Sequence, residues 1–151
     1  MLLTDLLSIE RIKIPLEARS KDELLRELVR VVTNQRSGDQ QDEILRAVRE
    51  RESVLSTGIG HGVAIPHGKS SAVSELRMAA GRAAAPVEFD ALDGQPVELF
   101  FLLVGPETAA GPHIKALSRI SRLVRKDDVR GRLIAARDAG EFLRALAEAE
   151  A

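Results

Sequence analysis

Hydrophobic residues recur along this chain at two different spacings, which predicts alternating strands and helices. Ile12, Ile14 and Leu16 alternate with polar neighbours, a pattern of period two that is typical of a half-buried strand. Ser20 and Glu23 then form a Ser-x-x-Glu capping box, which indicates the start of a helix. Beyond it the apolar residues fall three and four positions apart and form one inward face: Leu24, Leu25, Leu28, Val31 and Val32.

Five more helices are predicted from capping residues and helical spacing. They cover 1–7, about 39–52, and three segments that begin near Pro112, Asp127 and Asp138. Proline suits a first turn, because its missing N–H has no intrahelical partner there. The inward residues are expected to be Ile44, Leu45, Val48, Ile114, Leu117, Ile120, Ser121, Val124, Val129, Leu133, Ile134, Phe142, Leu143 and Leu146.

Four later segments are predicted to be strands: 63–65, 76–81, a short one that begins with Val87 and Phe89, and 97–104. The last is almost continuously apolar, which is typical of a central strand covered on both faces. A Ser-Gly turn is expected between the first two long helices. Because strands and helices interleave, we expect one α/β domain over all 151 residues, with a mixed central sheet and helices on both faces. The pattern leaves open which strands pair antiparallel.

Composition narrows the function classes. The chain has 22 basic and 23 acidic residues, and a net charge of -1 predicts no bulk attraction to nucleic acid or to an anionic membrane. Four Phe without Trp or Tyr argue against a base-stacking surface. The absence of cysteine excludes disulfides and thiolate chemistry and fits a cytoplasmic location. The longest apolar run, 99–104, is too short to insert into a bilayer, and the N-terminus lacks a signal-peptide pattern.

The segment 51–69 concentrates the features that could carry chemistry. Pro66 stiffens the backbone before His67 and is expected to end a strand, since proline cannot donate to a sheet. Gly68 removes side-chain bulk on the far side, so we expect an imidazole on rigid backbone with open space around it. Glycines before this point give the backbone access to positive φ and close approach; they are Gly58, Gly60 and Gly62.

The same segment carries a family resemblance. Its sequence GIGHGVAIPHG resembles the active-site segment of the enzyme IIA domains of the bacterial phosphoenolpyruvate-dependent phosphotransferase system, in the mannitol/fructose class and its nitrogen-regulatory relatives. Similar stretches are LLTDLL, FDALDGQPVELFFLLV and HIKALSRISRLVR, so the resemblance extends over nearly the whole chain. It implies that His67 accepts a phosphoryl group on Nε2 from the phosphocarrier HPr and passes it on, with no cofactor.

His67 and Arg51 fit this chemistry as residue types. A neutral imidazole is nucleophilic at physiological pH and can carry a phosphoryl group, provided that one ring nitrogen is held by an acceptor such as a backbone carbonyl. A guanidinium fork suits the equatorial oxygens of a phosphoryl group in transfer, and the resemblance places an arginine at position 51. The alternatives are a surface histidine that only ends a strand and an arginine of a solvated helix face.

His113 is predicted to lie at the start of a helix, on the same face as Leu117, Ile120 and Val124. That face points toward the carboxyl ends of strands, where open α/β sheets build their sites. The helix N-terminus adds partial positive charge suited to an anion. The resemblance implies that this second histidine supports the phosphoryl group by hydrogen bonding. The alternative is a histidine whose ring only caps the helix or is satisfied in the core.

His61 departs from related segments, which more often have Asn or Glu there. It could be a third donor, a contact for an acidic partner, or simply exposed. Thr57 and Ser56 could also donate to phosphate, whereas Lys69 is expected to have its side chain in water.

Three histidines could in principle bind zinc, but no carboxylate motif accompanies them. A dinucleotide-binding glycine motif fails because Val63 stands where the third glycine is required.

Two functions share this predicted site and differ in the acceptor. In the first, the protein receives phosphate from an HPr-like donor and passes it to a IIB domain during sugar uptake. In the second, phosphorylation controls contacts with regulatory target proteins without sugar transport. A binding module that has lost phosphorylation is a third interpretation, but the presence of Arg51, His67 and His113 together argues against it.

Overall fold

A mixed six-stranded sheet runs through the computed structural model, which describes residues 2–34 and 39–151. The predicted Ser-Gly turn, at residues 37–38, lies outside the described residues. In the described part the strands are β1 (Ile12–Leu16), β2 (Gly58–Gly60), β3 (Val63–Ala64), β4 (His67–Lys69), β5 (Arg77–Val87) and β6 (Val97–Gly105).

Five α-helices accompany the sheet in the same described ranges: α1 (Lys21–Val32), α2 (Asp39–Val54), α3 (Ala110–Val124), α4 (Asp127–Ala135) and α5 (Ala139–Glu150). Short 3₁₀ helices cover Leu3–Asp5, Ile9–Arg11 and Glu107–Ala109. The helix predicted at 1–7 is therefore a single 3₁₀ turn. No helix within these ranges combines the length and the apolar character that crossing a membrane requires.

β6 is the strand around which the sheet is ordered. β5 pairs with it antiparallel on one side, whereas β3 and β4 both pair with it parallel on the other. β1 adds a parallel edge beside β5, and β2 adds an antiparallel edge beside β3. The order is β1-β5-β6-β3-β2, with β4 following β3 along β6. The predicted mixed sheet is confirmed, and the antiparallel pairs that the sequence left open are β5–β6 and β2–β3.

Side chains of β6 alternate between two hydrophobic cores. Leu99, Phe101 and Leu103 pack with α3, α4 and α5, whereas Phe100 and Leu102 pack with α1 and α2. All five side chains are fully buried. This confirms both the helices on two faces and the assignment of β6 as a central strand, because only a strand covered on both sides has no polar face.

The short strand predicted to begin with Val87 and Phe89 does not form. β5 continues without interruption to Val87, which pairs with Val97 of β6 across an irregularity in the register that follows Arg82. Phe89 lies beyond the strand, where its ring packs edge-on against Phe100 at 5.5 Å between centroids. Pairing with β6, rather than the local hydrophobic pattern, therefore determines the length of β5.

Two predicted inward side chains point outward instead. Ile114 on α3 is 66% exposed, and Ile134 on α4 is 36% exposed. α3 begins at Ala110, with Pro112 in its first turn as expected. Ile114 follows His113 by one residue and so lies about 100° further around the helix. The face that docks on the sheet is instead His113, Ala116, Ile120, Leu123 and Val124.

The glycine segment forms a hairpin followed by a broken strand. Between β2 and β3 the backbone takes positive φ at Gly60 (97°), His61 (58°) and Gly62 (76°), which closes the hairpin. The strand before Pro66 ends, as expected, because β3 stops at Ala64, but the chain re-enters the sheet at once as β4. The Pro66 carbonyl still accepts a hydrogen bond of 3.0 Å from the Leu103 N–H. His67 therefore lies on a strand.

Gly68 lets α2 pack directly on the backbone of β4. A Cβ at this position would lie 3.0 Å from the Val48 nitrogen and 3.1 Å from the Ala47 carbonyl carbon. The expectation of open space on the far side of His67 is therefore wrong, because helix backbone fills it. This close approach also brings Arg51, one turn after Ala47, to the same end of the sheet as His67.

Substituting Gly68 tests this contact. We expect Gly68→Ala to lower the free energy of unfolding by about 1–3 kcal/mol, since backbone atoms of α2 must move away. The matched control is Gly131→Ala in α4, where an added methyl meets open space. There we expect stabilisation of roughly 0.5–1 kcal/mol from higher helix propensity. Urea unfolding followed by circular dichroism measures both, and equal stability of Gly68→Ala and wild type would contradict the packing argument.

Candidate functional site

The two predicted histidines meet in a depression between α2 and α3, beside the carboxyl end of β6. His67 pairs with Leu103 of β6, two residues before that strand ends at Gly105. His113 comes from the first turn of α3. The depression has a volume of about 420 Å³ and is lined by Ala47, Arg51, His67, Gly68, Lys69, His113, Ile114 and Leu117. The structure thus brings together four predicted site residues, Arg51, His67, Gly68 and His113, and places Lys69 beside them.

His67 is held in one orientation and one tautomer by its own backbone. Its Nδ1 lies 2.9 Å from the carbonyl oxygen of Ile65. A carbonyl can only accept, so Nδ1 carries the hydrogen and Nε2 keeps a free lone pair. Burial lowers the pKa of His67, the nearby Arg51 and Lys69 cations lower it further, and the Ile65 carbonyl and Glu52 carboxylate oppose them. The ring is therefore neutral at pH 7 and available as a nucleophile.

His113 is a buried imidazole with no hydrogen-bond partner. It is 3% exposed, and neither Nδ1 nor Nε2 contacts a donor or acceptor among the described residues. Its ring lies edge-on to His67, with 5.4 Å between centroids and 68° between planes. Burial lowers the pKa of His113 to about 4, helped by His67 and Lys69. Buried polar groups are nearly always paired, so this ring fits a group that enters the depression and accepts its N–H.

Arg51 lines the same depression from the last turn of α2. Its Nη1 donates a hydrogen bond of 2.9 Å to the carbonyl of Leu55. This bond satisfies a backbone oxygen just beyond the helix end and holds the guanidinium in place. The remaining N–H donors of the fork are suited to oxygens of a bound anion.

Glu52 does not line the depression, but its charge acts on His67, and the sequence reasoning missed it. Its carboxylate is 6% exposed and accepts hydrogen bonds from both the N–H and the hydroxyl of Thr57. The ammonium of Lys21 lies 3.0 Å from the same carboxylate. An available signal was its helical position, four residues after Val48 and eight after Ile44, on the apolar face of α2. The network fixes the connection from α2 to β2 directly behind Arg51.

The other predicted loop residues lie away from the depression. Thr57 is 5% exposed, and its hydroxyl is committed to Glu52. Gly58 packs on Ala91, whose Cβ would lie 2.7 Å from an added methyl. Gly60 and His61 belong to the β2–β3 hairpin, and none of these residues lines the depression. His61 is exposed at the hairpin turn, and its backbone N–H donates to the Asp93 carboxylate at 3.3 Å.

The three histidines are not gathered into one cluster in the part of the chain that the structure describes. Within residues 2–34 and 39–151, no group of three or more His, Cys, Asp or Glu side chains is arranged to hold a metal ion. The three histidines are divided between the hairpin, where His61 is exposed, and the depression that holds His67 and His113.

Known proteins match this chain over most of its length. The model of the family described as phosphoenolpyruvate-dependent sugar phosphotransferase system, EIIA 2, matches residues 5–149. A nitrogen regulatory protein of Bradyrhizobium diazoefficiens is 39% identical over 147 residues, 97% of this chain and 95% of that protein. The PTS system fructose-specific EIIABC component of Bacillus subtilis is 37% identical over 136 residues, 90% of this chain but 21% of that longer protein.

Among solved structures, the nitrogen regulatory protein IIA-Ntr from Neisseria meningitidis has the same fold. It superposes with a TM-score of 0.88 at 33% sequence identity, covering 95% of this chain and 98% of that one. With the resemblance around His67, these matches lead to one conclusion about identity: the chain belongs to the EIIA type-2 family of the phosphoenolpyruvate-dependent sugar phosphotransferase system.

Proposed function

We propose that this protein carries a phosphoryl group on Nε2 of His67, received from a phosphorylated HPr-like donor and released to an acceptor protein. The observation that carries the proposal is the contact between two imidazole rings that differ in their hydrogen bonding. His67 has Nδ1 bonded to a carbonyl and Nε2 free, and beside it stands His113, buried with both ring nitrogens unpartnered. A phosphoryl group on Nε2 gives His113 the acceptor that it lacks.

The transfer is a displacement at phosphorus. The Nε2 lone pair of His67 forms the new P–N bond as the donor's P–N bond breaks, and the donor imidazole keeps that electron pair. The Nδ1 proton stays on His67, bonded to the Ile65 carbonyl throughout. Arg51 and His113 stabilise the charge on the equatorial oxygens as the phosphoryl group passes between the two rings. Release to the acceptor reverses these steps.

The surroundings of the depression suit brief contact with partner proteins. His67 is half-buried, so a partner must bring its own reactive residue to it. Ile114, which lines the depression, is 66% exposed, and two apolar residues at the end of α2 are also exposed: Val54 by 80% and Leu55 by 57%. Donor and acceptor use overlapping patches here, because only one protein at a time can align with the imidazole. Such complexes have small interfaces and dissociate quickly.

Two kinds of acceptor are supported by the relatives. The match to a fructose-specific EIIABC component supports a IIB domain in sugar uptake. The match to a nitrogen regulatory protein, which covers 95% of that protein, supports a regulatory target instead. Adding a fructose-type IIB domain to the phosphorylated protein separates the two. Rapid loss of label to the IIB domain supports transport, and label that stays on His67 supports regulation.

The first prediction concerns the modified atom. Incubation with phosphoenolpyruvate, enzyme I and HPr should add one phosphoryl group to the wild type and none to His67→Ala. The linkage should be labile in acid and survive alkali, as expected for a phosphorylated imidazole. Intact mass and peptide mapping measure this, with the exposed His61→Ala as the matched control that keeps full labelling. Equal labelling of His67→Ala and wild type would refute the assignment.

The second prediction concerns the supporting groups. Arg51→Ala and His113→Ala should each slow phosphoryl acceptance about 10- to 100-fold, below the usual loss for an oxyanion donor because the depression is open to solvent. Arg46→Ala, an exposed arginine on the same helix, should transfer at the wild-type rate. Rapid-quench kinetics measure the rates, and circular dichroism establishes that the variants fold. Wild-type rates in both folded variants would exclude these roles.

The third prediction is a pH profile. Protonation occupies Nε2, so the acceptance rate should be constant near neutrality and fall only below pH 6.5, through the lowered pKa of His67. In Arg51→Ala the loss of a cation should move this fall to higher pH, since less repulsion opposes the imidazolium. The donor in this experiment is phosphoramidate, so that no partner histidine titrates with it. A midpoint above pH 6.5 in the wild type would contradict the electrostatic argument.

A further inference from the structure

Lys69 lies on the same face of β4 as His67. Side chains two residues apart on a strand point the same way, with their Cα atoms about 6.6 Å apart. Gly68, between them, faces α2 instead. Lys69 lines the depression together with both histidines and Arg51. The Lys69 side chain is exposed, as expected from the sequence, but it belongs to a strand and lines the same depression as His67.

The resting partner of Lys69 is Glu107. The Lys69 Nζ lies 3.8 Å from Glu107 Oε2, and the two side chains are 41% and 81% exposed. Ion pairs of this length and exposure contribute little to stability. Glu107 opens the 3₁₀ turn Glu107–Ala109, which leads directly into α3 and His113. The contact is therefore weak, and it joins the site to the segment that carries its second histidine.

The charge of Lys69 already acts on both imidazoles. Burial lowers the pKa of His67 and that of His113 most, and the charge of Lys69 adds a smaller effect in the same direction. A cation that repels the protonated form of both rings attracts an anion placed between them. A phosphoryl group carries nearly two negative charges and three acceptor oxygens, whereas Glu107 offers one charge in water.

We propose that Lys69 is a second phosphoryl-binding cation, which leaves Glu107 and binds the phosphoryl oxygens when His67 is phosphorylated. The proposal rests on the phosphohistidine function proposed above and concerns the regulation of that same site. When Lys69 leaves Glu107 for the phosphoryl group, the Glu107 carboxylate loses its ion pair and lies close to the phosphoryl anion. The surface of the Glu107–Ala109 turn thus becomes more acidic in the phosphorylated protein, and a partner docked there meets a different charge in each state.

The test is the equilibrium of phosphoryl exchange with HPr, because its constant depends on the stability of the phosphorylated protein and not on docking affinity. Lys69→Met should lower the phosphorylated fraction, reducing the constant about 5- to 30-fold. Glu107→Gln should raise it about 2- to 5-fold, because the competing partner is removed. In the double variant the Glu107 substitution should have a smaller effect, since no lysine remains to be released.

A second readout separates binding from a merely structural role. The phosphorus-31 titration of phosphorylated His67 gives the pKa of the phosphohistidine, which a contacting cation lowers. Lys69→Met should raise this pKa, and Lys69→Arg should restore it toward wild type. Lys115→Met is the matched control, because Lys115 is exposed on α3 outside the depression and should change neither quantity.

The outcomes discriminate between the two proposals. If Lys69→Met is phosphorylated at His67 with the equilibrium and the phosphohistidine pKa of wild type, the inference is refuted while the carrier function stands. If Glu107→Gln changes the equilibrium equally with and without Lys69, the exchange of partners is refuted. A wild-type protein that takes up no phosphoryl group on His67 overturns the proposed function and this inference with it.

Discussion

The hydrogen bond from Nδ1 of His67 to the Ile65 carbonyl is the contact on which the proposed chemistry depends. It exists because Pro66 breaks the strand after β3 while β4 returns to the same side of β6. A continuous strand would turn the Ile65 carbonyl into the ladder of the sheet, away from a side chain two residues later. The interruption frees that oxygen to hold a ring. One backbone atom thereby sets the orientation, the tautomer and the free lone pair of the reactive side chain.

The surroundings of this ring keep it neutral, and their cations suit the anion that the proposed function requires. Burial disfavours the imidazolium form most, and Arg51 and Lys69 act in the same direction. Glu52 opposes them, but its carboxylate is engaged by Thr57 and by Lys21, whose ammonium also lies 4.9 Å from the centre of the Phe89 ring. A buried carboxylate paired in this way anchors the chain without acting as a free base in the depression.

Much of the fold and part of the candidate site could be predicted from residue patterns. The continuous apolar run of β6 indicated a strand covered on both faces, and the Ser20 capping box marked the start of α1, where its side chain accepts from the Glu23 N–H. His113 was placed inward by helical spacing, and it is buried. Periodicity succeeds in such cases because burial of an apolar face is a local property of a regular element.

Predictions from the hydrophobic pattern were wrong where a contact with another segment determined which side chains are buried. Ile114 was expected inward, yet α3 docks through the face that begins with His113. Glu52 lies on the apolar face of α2 although it is charged, and it can be buried there because Thr57 and Lys21 satisfy its carboxylate. Lys69 shares a depression with His67 only because α2 and α3 close over the end of β4.

The sequence by itself determined which residue is the candidate for the reactive one and what family the chain resembles, since the glycines, Pro66 and His67 act through local backbone geometry. It also predicted the five α-helices and the strands β1, β3, β5 and β6 in their order along the chain, but not β2 or β4. Only the tertiary structure decided which side chains surround the imidazole. Gly68 shows why: its missing side chain matters solely because the backbone of α2 arrives 3.0 Å from where a Cβ would be. Contacts between residues far apart in sequence have no local signature, so the depression exists only once helix and sheet pack together.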